Sequence, residues 1–373
     1  MKVAVAGAGI IGLACADELV RAGHDVHVFD PSPGQGATHA AAGMLAPGGE
    51  AWFGEVSLLR LGIESARMWP SYAASLSARA GVDVDLRTTG TVLAGVDRDD
   101  LADVERPLGL LRAHGVLVEE LTGRELRRRE PTLGRVAGGA LLPEDHNVDP
   151  RRVAAALLRV LGNRVVRVDV EAVVDDGVRL RDGSTFGCDA VVWATGVRAR
   201  EHGPWVRPVQ GETIRLRGGD APARVVRARV HGEPVYVVPR ADGEVVVGAT
   251  EEQHEGPPVA TVGAVSRLLA AARALVPGLD TAELLEVTAR HRPGSPDNGP
   301  LLGLDPGADL GSGGGGGTGR PRQVLAVGHY RGGVLLAPLT AQVVRAHVED
   351  APVPEVARPF TPDRFTPARQ GAS

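Results

Sequence analysis

Apolar positions in this chain alternate between short unbroken runs and runs at helical spacing. Val3-Ala4-Val5-Ala6 is an unbroken run and predicts a buried strand. Leu13, Ala16, Leu19 and Val20 recur with the helical period, so a helix is expected to about Ala22, stopped by Gly23. Asp25 to Phe29 reads as a second strand ending at Asp30. Further on, residues 55 to 80 predict a helix, Val82 to Ala94 alternates as strands, and Asp97 to about His114 is a second helical run. Asp149 precedes Pro150, a favourable first helical residue, and is expected to cap a helix. Arg164 to Val174 and Asp189 to Ala194 read as strands. Residues 205 to 255 are Val-rich with turns at Gly218-Gly219 and Asp242-Gly243, which predicts antiparallel sheet. A helix is expected over Val259 to Leu275, then a buried strand over Val324 to Gly328 and an apolar helix from about Val334 to Val348. There is no internal repeat.

The connections carry the chemistry. Between the first strand and helix stands Gly7-Ala8-Gly9-Ile10-Ile11-Gly12. Such a turn places the first glycine for tightness, the second for backbone approach to a pyrophosphate, and the third for helix–strand packing. Asp30, 18 residues after Gly12, stands where an acid would accept from ribose hydroxyls. The loop Pro31 to Pro47 is rich in small residues, as backbone packed on a large flat ligand would be. Trp193-Ala194-Thr195-Gly196 closes another strand on small residues. The strand at 324–328 leads into His329-Tyr330-Arg331-Gly332-Gly333, a second strand-to-helix turn that must share a sheet with the first if both enclose one cofactor. A discontinuous cofactor domain is therefore expected over 1–81, 145–204 and 289–373, with a substrate domain over 82–144 and 205–288. Gly311 to Gly319, glycine but for one serine and one threonine, reads as a flexible surface loop.

Composition narrows the chemistry by subtraction. At 373 residues, 43% hydrophobic and 23% charged, the chain is an ordinary globular sequence of about two domains. A net charge of -5 gives no electrostatic reason to expect nucleic acid or an anionic membrane. Lys2 is the only lysine beside 40 arginines, which excludes a Schiff-base lysine and a P-loop lysine at any useful position. Cys15 and Cys188 are the only cysteines, too few for a disulfide framework or a Cys-rich metal site, and fitting for a reducing cytoplasm. No metal site is expected. No run of about 18 apolar residues predicts a membrane span. The start of the chain resembles an export leader only superficially, since Gly12 stands where a lipoprotein signal wants an aliphatic residue.

Four segments together resemble the D-amino-acid-oxidase-like flavoproteins, and within them the glycine oxidases of thiamine biosynthesis. They are VAVAGAGIIGLACADEL, AAAGMLAP, YVVPRADGEVVVGAT, and RPGSPDNGPLLG followed by GHYRGGVLLAPLTA, spread in order from residue 3 to 341. The resemblance implies an α/β fold: a Rossmann-like FAD-binding domain of the glutathione-reductase type, with a second α+β substrate domain on an antiparallel sheet. It implies non-covalent FAD, with Gly7, Gly9, Ile10, Ile11 and Gly12 at the pyrophosphate and Asp30 at the adenosine ribose. Thr38, Ala42, Gly43 and Met44 would line the flavin, the backbone of Val170 would hold the adenine, and Gly196 would lie close to the cofactor. His329, Tyr330, Arg331, Gly332, Gly333, Val334 and Leu335 would run along the isoalloxazine. A cytoplasmic homo-oligomer, a tetramer in the family, is implied, with a small amine and O2 as its reactants. Three departures stand out: Asp30 replaces the usual Glu, His39 replaces Ser or Trp, and Glu251 replaces an apolar residue after Gly-Ala-Thr. Covalent relatives use a cysteine near the segment of Arg292, and this chain has none there.

The reaction itself asks little acid–base chemistry of the protein. Oxidising an amine to an imine needs the C–H held over the flavin, and a bidentate arginine supplies orientation through a substrate carboxylate. Arg331 is the first candidate, Arg292 the second, and Tyr236 a third hydrogen-bonding group. His329 reads as a spacing residue more readily than as a base, while Trp52, Phe53 and Met44 fit pocket or core equally. Oxidative deamination of glycine or another small amine, with O2 going to H2O2 and the imine feeding thiazole formation, is the leading expectation. A D-amino-acid, sarcosine or proline dehydrogenase passing electrons to a carrier is the alternative.

Overall fold

The computed structural model describes residues 1–202, 205–253, 255–308 and 320–365. Gly311–Gly319, expected as a flexible loop, lies outside the described residues. The chain forms two compact units: 1–36, 157–208 and 292–373, and 37–156 with 209–291.

In the first unit a six-stranded sheet places Lys2–Ala6 centrally. Asp25–Phe29 lies on one side of it, Ala190–Trp193 on the other, and Arg322–Val327 beyond that, all parallel. Leu301–Leu304 adds an antiparallel edge. Val3 to Ala6 and Ala190–Trp193, at the centre, read as solid apolar runs because a parallel sheet is covered on both faces, whereas Asp25–Phe29 alternates as Asp-Val-His-Val before Phe29. Helix Ile10–Arg21 packs against helix Gly333–Val348. The two glycine-rich turns therefore open helices that lie together above one sheet, as the enclosure argument requires. A separate three-stranded antiparallel sheet is built from Val170–Val174, Gly177–Leu180 and Thr185–Gly187.

The second unit is organised by an eight-stranded sheet. Arg207–Arg217, Val225–Val230, Glu233–Pro239 and Glu244–Gly248 form one antiparallel part, Thr91–Gly95, Gly138–Leu142 and Glu119–Thr122 form another, and a parallel pairing of Val225–Val230 with Thr91–Gly95 joins the two. Alternation sorts its faces. Val226, Ala228, Val235, Val237, Val245 and Val247 share a core with Leu268, Ala272 and Leu275 of helix Val262–Leu275. Val225, Val238 and Val246 face the other way and cluster with Ala42, Met44 and Tyr236.

Three expectations change. Residues 37–81 and 145–156, expected with the cofactor domain, pack instead in the second unit. Met44–Leu45 pairs with His146–Asn147 there, and Leu59 of helix Val56–Ala80 packs with Leu93, Leu111 and Leu142. Val82 to Ala94 is strand only at Thr91–Gly95, because Asp85 (φ +56°) and Gly90 (φ +84°) break the extended path. The helical run after Asp97 is divided into Arg98–Glu105 and Leu108–Ala113 on either side of Pro107.

Candidate active site

In the first unit the turn after Lys2–Ala6 is shaped for close approach. Gly7 has φ +105°, and a Cβ there would stand 2.4 Å from the Ala194 carbonyl oxygen. A Cβ at Gly12 would stand 1.9 Å from the Gly7 carbonyl oxygen. Gly9 is the N-cap of helix Ile10–Arg21 and brings no capping side chain. A helix start leaves its first N–H groups without intrahelical acceptors, which makes it a seat for phosphate. Asp30 closes the turn from the neighbouring strand: its carboxylate accepts from the Ala8 and Ser32 amides, each at 2.7 Å. Each carboxylate oxygen keeps further acceptor capacity for a ribose hydroxyl. Beside Gly7, the buried hydroxyl of Thr195 has no hydrogen-bond partner among the described residues. A cradle that no side chain can enter, lined by an orphaned hydroxyl and a helix start, fits a dinucleotide.

The second turn follows Arg322–Val327. Gly328 has φ +74° and Tyr330 φ +48°, so the chain makes a tight detour before helix Gly333–Val348. Tyr330 is buried, and the exposed Arg331 guanidinium stands 4.9 Å from the centre of its ring. His329 is buried with Nε2 3.0 Å from the Thr340 hydroxyl. Burial pushes its pKa down to about 3, so the imidazole is neutral. Arg292 lies half-buried near the end of strand Glu283–Gly294. Val170 opens its strand opposite Leu180, where the register shifts. Gly196 follows Thr195 with φ +60°.

In the second unit the small-residue loop is held by side chains sequence reasoning did not assign. Gly43 has φ +77°, and a Cβ there would stand 2.0 Å from the Val148 carbonyl oxygen. The buried Arg240 guanidinium donates to the carbonyls of Ala42 at 2.5 Å and Val148 at 2.9 Å. Thr38 is buried. His39 belongs to a cluster: Arg151 Nε donates to its carbonyl at 2.9 Å, while Arg151 Nη1 and Nη2 grip Glu286 at 2.9 and 3.0 Å. The His39 ring stands 3.1 Å from Glu286. Burial first, then Arg151, lowers the His39 pKa. Hydrogen bonds from Arg151 hold the Glu286 carboxyl at about 2.

The face of the large sheet opposite its helix carries Tyr236. Gly248 is paired with it, and a Cβ there would stand 2.3 Å from the phenol oxygen, so the ring needs a bare neighbour. Arg227, directly across from Tyr236 in register, donates through Nη1 to Glu50 and lies 3.3 Å from the Met44 sulfur. Asp145 is buried and accepts from the Gly48 and Gly49 amides at 3.2 and 2.6 Å. Burial raises its pKa to about 7. Trp52 and Phe53 are exposed, which removes the core reading for them, whereas Met44 is half-buried beside Tyr236. Glu251 is exposed after strand Glu244–Gly248.

Comparison with known proteins agrees with the glycine cradle. Residues 2–346 match the family of FAD-dependent oxidoreductases typified by D-amino-acid oxidase. The chain belongs to that family. FAD is the cofactor of this family of oxidoreductases, and the cradle fits it. A glycine oxidase from Geobacillus kaustophilus is 31% identical over 365 residues, 93% of this chain and 92% of that protein. A bifunctional protein ThiO/ThiG from Synechocystis is 32% identical over 379 residues, 97% of this chain. The chain spans about half of that bifunctional protein's length, 54%. The crystal structure of the Geobacillus glycine oxidase superposes with a TM-score of 0.85 at 30% identity, covering 96% of this chain and 97% of that one. Among the described residues no helix is long and apolar enough to cross a membrane.

Arg227, Glu50, Asp145, Arg151 and Glu286, which order the surroundings of Tyr236 and His39, were not singled out from the sequence. One signal for Arg227 was available. His231-Gly232 is a two-residue turn with φ of +53° and +82°, the type that links adjacent strands with fixed register. Counting back from it pairs Arg227 with Tyr236.

Proposed function

We propose that this member of the family oxidises glycine, or another small amino acid, to the imine, with O2 reduced to H2O2. The observation that supports this most strongly is the Arg331 turn, which leaves the same parallel sheet as the glycine cradle and opens a helix packed on the cradle's helix. A bound FAD would supply the hydride acceptor for the substrate's α-carbon. The protein's tasks are then orientation and selection. Arg331 is the main clamp for the substrate carboxylate, Arg292 assists, and Tyr236 donates a hydrogen bond. No protein base is obligatory, since an amine that arrives neutral needs none. Gly7, Gly9, Ile10, Ile11, Gly12 and Asp30 hold the dinucleotide half of the cofactor, with Val170 and Gly196 along its adenosine side. Thr38, Ala42, Gly43, Met44 and the stretch His329 to Leu335 serve the flavin.

FAD is held without a covalent bond. Cys15 and Cys188 are buried, and burial raises both thiols, that of Cys188 to about 11, so neither is a ready nucleophile. Acid precipitation should leave the yellow colour in the supernatant. The imine would serve thiazole formation in thiamine biosynthesis, in a cytoplasmic homo-oligomer. The deciding experiment is a screen of small amino acids with peroxide detection in air and anaerobic bleaching of the flavin. Glycine should bleach the flavin and yield peroxide. Bleaching without peroxide in air would instead mark a dehydrogenase that passes electrons to a carrier.

A further inference from the structure

We infer that His39 is an acid-operated latch on the short helix Ala37–Ala40, shut while its ring is neutral and opened by a single proton. Every group the latch uses belongs to the second unit. His39 Nε2 stands between two groups of opposite kind, Arg151 Nη2 at 2.9 Å and Glu286 Oε1 at 3.1 Å. An arginine stays protonated and can only donate. Glu286, held at about 2, is ionised near neutrality and can only accept. The state of one ring nitrogen therefore decides which neighbour it serves.

Neutral His39 serves Arg151. One proton of Nη2 goes to Glu286 Oε1 at 3.0 Å, which leaves the other for Nε2, so the ring carries its own proton on Nδ1. Arg151 then holds His39 twice, by the ring and, through Nε, by the carbonyl at 2.9 Å. Protonation puts a hydrogen on Nε2. Two donors, both on cations, would then face each other, and the ring has to turn to Glu286 alone.

The charged groups facing the ring are Arg151 from helix Pro150–Leu161, and Glu286 and Arg290 from strand Glu283–Gly294. Partial burial first, then two cations against one anion, disfavour the extra charge, so the latch opens below the ordinary histidine value of 6.5. The fastenings beside it do not titrate in that range: the Thr213 hydroxyl donates to the Ala40 carbonyl at 3.1 Å, and Arg240 to that of Ala42. Under the proposed function this helix brings Thr38 to the flavin, and only the consequence for catalysis rests on that reading.

Histidine 15N NMR on the wild-type holoenzyme should show His39 Nε2 unprotonated at pH 7.5 and titrating below 6.5. Hydrogen exchange read by mass spectrometry, corrected for intrinsic rates, should show residues 37–41 opening about tenfold or more readily at pH 5 than at pH 7.5. In His39→Gln a side-chain oxygen takes the place of Nε2 and never titrates, so that acceleration should vanish. A protonated Nε2 at pH 7.5 overturns the inference on the wild-type protein alone. An acceleration equal in both proteins overturns it as well. The ratio of glycine kcat/KM in His39→Gln to that in the wild type, in which the substrate's own ionisation cancels, should rise severalfold from pH 7.5 to pH 5. A flat ratio with the exchange result intact would uphold the latch and overturn the reading of Thr38 as a flavin contact.

Discussion

Under the proposed function, the glycine cradle of the first unit and the Tyr236 wall of the second solve recognition in opposite ways. The cradle is made of backbone: glycines that admit no Cβ, a helix start, and an aspartate whose oxygens take two main-chain amides. The wall is made of side chains supplied by distant segments, with Arg227 on Glu50 and Tyr236 over Gly248. Backbone presents the same donors whatever sequence surrounds it, which suits a cofactor that never changes. Side chains can be exchanged one at a time, which suits a substrate site.

Breaking the cradle should have the largest effect. In Gly7→Ala the new methyl meets the Ala194 carbonyl at 2.4 Å on a backbone with φ +105°. Clash and strain together should cost about 3 kcal/mol or more, and the protein should purify without yellow colour. Gly36→Ala, where a Cβ meets nothing within 4 Å, is the control and should keep its flavin. A fully yellow Gly7→Ala enzyme would show that the dinucleotide is bound elsewhere.

Next in size is the clamp. Arg331→Ala should keep FAD but lose about 2–5 kcal/mol of transition-state binding, roughly 30- to several-thousand-fold in kcat/KM for carboxylate-bearing amines. Lysine restores charge without the planar fork and should recover only part of this. A simple alkylamine should be affected far less. Equal losses for glycine and the alkylamine would move the clamp to Arg292.

The same contrast explains how much could be read from sequence. Gly7 to Gly12, Asp30 and the turn at His329 to Gly333 are encoded in local spacing beside apolar runs, so the parallel sheet and its two turns were legible. The pairing of Arg227 with Tyr236 can be counted back from the His231-Gly232 turn, but the contacts between residues 39, 151 and 286 or 50 and 227 leave no local pattern. Forty arginines make any one of them uninformative until its partner is known. The stretch from Val82 to Ala94 shows the converse error: its alternation suggested strands, but left-handed Asp85 and Gly90 interrupt them.

Asp145 offers a smaller effect with a distinct pH signature. Burial raises its carboxyl to about 7 from an ordinary 3.8. The folded state therefore holds a proton that the unfolded chain releases. This contribution to stability is fully present below about pH 4 and is lost as pH rises through about 7. Asp145→Asn stays neutral, so the stability difference between variant and wild type should shift in the variant's favour by about 1–2 kcal/mol between pH 5 and pH 8. Denaturant titrations at both pH values measure it. A pH-independent difference would mean that the carboxylate stays ionised on the Gly48 and Gly49 amides, with the Glu50 segment anchored by charge.

The smallest expected effect lies in the cluster that holds His39. Arg151 hydrogen bonds, reinforced by Thr288 and the His39 ring, lower the Glu286 carboxyl to about 2 from 4.5. A depressed carboxylate pKa gives stability that is present above about pH 4.5 and lost as pH falls toward 2. The Glu286 side chain is 34% exposed, so solvent screens much of that benefit. Glu286→Gln, which keeps the shape and one acceptor, should cost only about 0.5–1 kcal/mol at pH 7, and less at pH 3.5. Its flavin content should match the wild type, because the cradle is built in the other unit from other residues. An undiminished loss at pH 3.5 would mean that Glu286 works through packing, with charge incidental. Loss of flavin at pH 7 would blur the contrast itself, since a side-chain cluster of the second unit would then share in holding the cofactor.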